Sequence, residues 1–132
     1  MSGLLLDTHA LIWFATGDTR HMPRATADLI TNPANQVYVS AASIWEIATK
    51  SRLGKLQGVS DIAARPAYYL SELAMQALPI SVDHAGRAGS FDVAHRDPFD
   101  RMLAAQSSAE GLALVSMDKT IDAFGISRLW PT

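Results

Sequence analysis

Hydrophobic positions along the chain fall into short unbroken runs separated by longer stretches with helical spacing. The first run is Leu4-Leu5-Leu6, cut off by Asp7, and it reads as a buried strand. Residues 8–15 follow, with Leu11, Ile12 and Phe14 on one side of a helix that Gly17-Asp18 stops. Pro23 opens a second helix through Ile30, since its missing N–H costs little in a first turn, and 32–35 is a turn. Val37-Tyr38-Val39 is a second strand. A helix capped by Ser40 or Ser43 comes next, places Ile44, Ile47 and Ala48 on one face, and ends near Gly54. Residues 66–75 form a further helix and 77–82 a third strand, with Pro79 near an edge, before a loop over 86–96. Pro98 starts a helix running to about Glu110, where Gly111 ends it. Residues 112–116 are the fourth strand, and 126–130 supply a fifth.

Strands alternating with helices call for an α/β protein with a mostly parallel sheet of four or five strands, covered on both faces. In such sheets ligands bind beyond the carboxyl ends of the strands. Residues 1–132 are expected to form a single domain, because no repeat, linker or low-complexity stretch interrupts the pattern.

Composition narrows the function classes. At 48% hydrophobic and 18% charged residues the chain is too apolar for disorder, and it has no run long enough to span a membrane. Its start lacks a basic segment and meets Asp7 after three leucines, so no secretory signal is expected there. Without cysteine there is neither a disulfide framework nor a thiolate metal site, and a cytoplasmic location is expected. A net charge of −2 looks unfavourable for nucleic-acid binding, yet two bound dications would turn it to +2. The charge therefore decides nothing. No Gly-rich phosphate loop is present, and Ser107-Ser108 lacks the flanking glycines of a nucleophile elbow.

The acids are more informative. Asp7 and Asp118 each stand just past a predicted strand, where capping the next helix is the rival explanation. Asp97, directly before Pro98, reads first as a helix cap, and Asp100 then lies in the first turn beside the small residues Ala104 and Ser107. Glu46, taken alone, is a surface partner for Lys50 four residues on. His9 and His95 could each support the acids as hydrogen-bond partners but read first as polar loop or packing residues, and the tryptophans with Met75 and Met102 as core or partner surface. Capping explains each carboxylate in isolation and the set less well.

Residues 5–13 (LLDTHALIW) resemble the PIN-domain superfamily, and within it the VapC-type toxins. The likeness continues through Ser43-Ile44-Trp45-Glu46-Ile47 with 50–56, through His95-Arg96-Asp97-Pro98-Phe99-Asp100 and the residues to 106, and through 114–118. It implies a three-layer α/β/α sandwich and a metal-dependent endoribonuclease, with Asp7, Glu46, Asp100 and Asp118 as catalytic and metal-binding residues. Asp97 and Ser116 are second-tier candidates; Ser116 stands where many relatives carry threonine, and Ser107-Ser108 is more polar than usual. The resemblance also implies one or two Mg²⁺ or Mn²⁺ ions, an RNA substrate such as tRNA or another structured RNA, a small VapB-type antitoxin, and a homodimer. Hard dications prefer oxygen ligands and keep several waters, so a few carboxylates suffice. Asp7 and Asp100 are then expected to hold the principal ion, with Glu46 and Asp118 orienting water or a second ion. Lys50, Arg52 and Lys55 could guide phosphate. The alternatives are a receiver-like phosphoacceptor, for which Lys119 would be the required lysine, and a catalytically inactive interaction protein.

Overall fold

A computed structural model describes residues 2–132. Its five strands are β1 (Ser2–Leu6), β2 (Asn35–Ser40), β3 (Gln76–Leu78), β4 (Ala113–Val115) and β5 (Arg128–Leu129), all parallel, in the order β3-β2-β1-β4-β5. β1 lies at the centre, with Leu4 paired to both Val37 and Ala113, and this is why three consecutive leucines are all buried. Side chains alternate across a strand. Leu4 and Leu6 accordingly join Leu11, Ile12, Ile47, Ile62 and Leu70 on one face, while Leu5 joins Leu103, Ala104, Ile121 and Phe124 on the other.

The first face is covered by α1 (Thr8–Thr16), α2 (Arg24–Thr31), α3 (Ala41–Arg52), α4 (Ser60–Ala64) and α5 (Pro66–Glu72). The second carries α6 (Val82–Ser90), α7 (Pro98–Glu110) and a 3₁₀ helix, Lys119–Phe124. These layers make the expected α/β/α sandwich. Among the described residues, no helix is long and apolar enough to cross a membrane.

Four local expectations are corrected. The loop foreseen over 86–96 is helical through Ser90, because Ser81 and His84 cap each other's backbone N–H groups and start α6 despite Gly86 and Gly89. For the same reason the third strand ends at Leu78 instead of 82, and Val82 is solvent-exposed at the head of α6. The helix foreseen over 66–75 stops at Glu72, and Ala74, at φ 56°, turns the chain into β3. In α3 the buried side is Ala42, Ser43, Glu46 and Ile47, with Ala48 exposed, so the face is turned toward the polar residues and away from Ala48. The short helix α4 has no counterpart in the sequence reading.

Candidate active site

Parallel strands deliver their carboxyl ends to one edge, and the helices that follow or precede them begin there. Asp7 comes straight off β1, its N–H still donating to Val115 O at 3.1 Å, and its carboxylate accepts from Ala10 N at 2.8 Å to cap α1. It is 8% exposed. Burial pushes the Asp7 carboxyl up to about 6; the Ser116 hydroxyl, the Ala10 N–H and the charge of nearby His9 oppose this, and the Asp100 charge adds to it. Capping and a place at the sheet edge are thus both true of Asp7.

Glu46 is 5% exposed, which removes the surface-pair reading. Ser40 caps α3 by accepting from Ala42 N, and this sets the helix so that its second turn carries Glu46 inward beside α1. The Thr8 hydroxyl donates to Glu46 Oε1 and lies 3.1 Å from Ser43 Oγ, while the Lys50 ammonium donates to Oε2. Burial pulls the Lys50 ammonium down, but its bond to Glu46 and the charges of Glu46, Asp97 and Asp100 leave it above the ordinary lysine range. One lysine therefore answers to three acids.

α7 runs back along the sheet, so its amino end lies at this same edge. Asp97 caps it, accepting from Phe99 N at 2.9 Å and Asp100 N at 3.2 Å. Asp100 is raised above the usual carboxylate range by burial and by the charges of Asp97 and Glu46, against a 2.9 Å bond from His95 Nε2. His95 sits in the segment after α6, and that segment is pinned by Arg101, whose guanidinium donates to the carbonyls of Ala88, Phe91, Val93 and His95. Sequence reasoning passed over Thr8, Lys50's place among the acids and the Arg101 clamp. Only the position of Thr8 between Asp7 and a helix could have signalled the first.

Asp118 is placed differently. It is exposed, caps the 3₁₀ helix through Thr120, and is held below the ordinary carboxylate range chiefly by the Thr120 hydroxyl, with help from the His95 and Arg128 charges. Fully buried Ser116 links it to the rest, accepting from Asp118 N at 3.1 Å while its hydroxyl lowers the Asp7 pKa. Asp100 thus stands within electrostatic reach of Asp7, Asp97 and Glu46, and Asp118 lies exposed to one side.

Among the described residues, no three acidic or histidine side chains close tightly enough to enclose an ion as they stand. Asp100 is occupied by His95 and Glu46 by Lys50. The donor set is nonetheless all oxygen, which is the ligand type a hard dication prefers, and a dication would compete with Lys50 for Glu46. The site is an open surface. A cavity of about 560 Å³ lies elsewhere, at the amino ends of β1, β4 and β5, lined by residues such as Gly3, Ser107, Leu112 and Ser127 with no acid among them.

A family model described as PIN domain matches residues 4–126. Among solved structures, the chain is similar to VapBC-1 from nontypeable Haemophilus influenzae, at 14% identity and TM-score 0.69, covering 96% of each chain. It is similar to DNA-bound VapBC from Salmonella typhimurium, at 17% identity and TM-score 0.69, covering 99% of this chain and 100% of that one. It is also similar to VapC20 of Mycobacterium tuberculosis, described as a sarcin-ricin loop cleaving toxin, at 18% identity and TM-score 0.67, with 97% and 99% covered. No curated protein matches the chain.

Proposed function

Because the chain belongs to the PIN domain family, we propose that it is a metal-dependent endoribonuclease, the toxin of a VapBC-type toxin–antitoxin module. One observation carries the reading: Asp7 and Glu46 are buried acids at the carboxyl edge of the sheet, and the charges of Asp97 and Asp100 reach the Lys50 ammonium that bonds Glu46. Surface carboxylates have no reason to converge at such an electrostatic cost. The family assignment removes the receiver-like alternative, and an inactive interaction protein is the outcome a failed cleavage assay would favour.

Asp7 and Asp100 would hold the principal Mg²⁺ or Mn²⁺, and Glu46 and Asp118 would orient water or help hold a second ion. A bound dication lowers the pKa of its water and offsets charge on the phosphate during in-line attack. The chain supplies the orientation. Thr8 and Lys50 fix the two oxygens of Glu46, His95 fixes Asp100, the Ala10 N–H fixes Asp7, and Ser116 holds the backbone of Asp118. Asp97 acts chiefly through the helix it caps, which sets the direction of Asp100.

The substrate class we infer is a structured RNA such as tRNA, cut in the cytoplasm by a single PIN-like domain spanning 1–132. A small VapB-type antitoxin and a second copy of the chain are the partners, in keeping with the VapBC complexes it is similar to. Exposed Trp45, Leu53 and Val82 offer apolar surface for such contacts. The test is cleavage of total RNA with Mg²⁺, with Mn²⁺ and with chelator. Asp7→Asn and Asp100→Asn should each lower the metal-dependent rate by more than about 100-fold. Full activity in both variants refutes the assignment.

A further inference from the structure

Four aromatic rings gather on and around α1, the helix that Asp7 caps, and only His9 among them acts on the acids of the pocket, through its charge near Asp7. Trp13 stacks on His21 with centroids 4.9 Å apart and planes within 13°. His9, one helical turn before Trp13 and two residues after Asp7, tilts against the same indole at 5.4 Å and 33°. Trp130 meets Trp13 edge-on at 5.9 Å and backs the group from the core side. Packing alone accounts for the two tryptophans. It does not account for the imidazoles, because His9 is exposed and the His21 side chain is 49% exposed.

His21 is also held in position. Asp18 Oδ2 bonds its Nδ1 at 2.7 Å, and Asp18 Oδ1 accepts the N–H groups of Arg20 and His21. The ring is thus fixed in solvent with one face on Trp13, which costs side-chain entropy that burial does not recover. Arg20 and Arg24, one residue before and three after it, have side chains 87% and 93% exposed and only long ion pairs, to Asp18 at 3.9 Å and Asp28 at 4.0 Å. Flat rings of fixed orientation beside solvent-facing, loosely paired guanidinium groups suit one ligand chemistry above others: an unpaired base with its phosphate.

We propose that His9, Trp13 and His21 form a stacking subsite for an unpaired nucleobase of the RNA whose neighbouring phosphate lies at Asp7, with Arg20 meeting the backbone beyond it. This rests on the nuclease reading. Stacking of this kind is sequence-tolerant, since every base has a π face. The subsite would favour substrates with a looped-out or single-stranded nucleotide beside the cut over continuous duplex.

The test uses the full chain carrying Asp100→Asn to suppress cleavage, with Mg²⁺ present, and a short fluorescein-labelled oligoadenylate read by anisotropy. His9→Ala and His21→Ala should each weaken binding roughly 10-fold, and His9→Phe should restore it, since stacking on one ring is worth about 1–3 kcal/mol. An abasic ribose-phosphate oligomer of equal length should bind all these chains alike. Alanine variants that bind oligoadenylate as tightly as the parent overturn the subsite, as does an equal loss with the abasic oligomer, which would assign the histidines to phosphate. If the oligoadenylate does not bind the parent and the unsubstituted chain cuts no RNA, the nuclease reading falls and takes the subsite with it.

Discussion

Asp7 carries an ionisable group out of water at a place where its charge is needed. Its folded pKa, about 6, exceeds the ordinary 3.8, so between those values the folded chain binds the extra proton and stability falls as pH rises. The cost is absent below about pH 4 and complete above about pH 6, where two pKa units correspond to about 3 kcal/mol. In chelator at about pH 8, Asp7→Asn should therefore raise Tm by several degrees, since asparagine keeps a cap acceptor without the charge. Near pH 4 the gain should largely vanish. A variant that melts at or below the parent at both pH values would contradict this account of the burial cost. Asp7 was legible in the sequence as a residue poised past a strand. Glu46 was legible only through the family resemblance and its burial not at all, because the i+4 lysine that marks a surface pair is here also the counter-ion of a buried carboxylate. Asp118 stands where its position in the chain foretold, yet its carboxyl faces Thr120 and solvent.

Helices at this edge owe their direction to their caps. Ser40, Ser81, Asp97 and Asp118 were all within reach of sequence reasoning, but only where apolar periodicity agreed with the cap was the helix found. α6 was missed because Gly86 and Gly89 argue against a helix, and a reciprocal cap with buried His84 outweighs them. The element that matters most for the site is the segment 91–97 between α6 and α7. Arg101 holds it by three of its carbonyls and by Ala88 O of α6, all within 2.9 Å, and that grip places His95 on Asp100. A lysine cannot reproduce a planar fork with several fixed donors. Arg101→Lys should speed amide exchange across 91–97 while leaving β1 and β2 protected, and should lower kcat by roughly 10-fold through the loosened His95–Asp100 contact. Unchanged exchange in that segment would show that the carbonyls are held by other means.

At the scale of the whole molecule, the sheet was the most legible feature. Its all-parallel order follows from buried runs separated by helices, and its edges from how short β3 and β5 are. What the chain could not disclose was side-chain company across the sheet edge, such as Thr8 with Glu46 or Ser116 with Asp7. These contacts join residues far apart in sequence and leave no periodic trace. Carboxylates crowded at one edge repel, so a dication bound there should stabilise the folded state as a whole. At 100 times its Kd, Mg²⁺ should add about 2.7 kcal/mol, seen as a rise in Tm that Asp7→Asn and Asp100→Asn abolish. A wild-type Tm indifferent to Mg²⁺ and Mn²⁺ would sink the metal assignment. The central place of β1 has one more effect. Its two neighbours are β2 and β4, so one flank of β1 comes from a segment more than a hundred residues away in sequence. On the nuclease reading, Asp7 reaches its working place only when that distant pairing has closed, and competence to cut arrives together with the completed sheet.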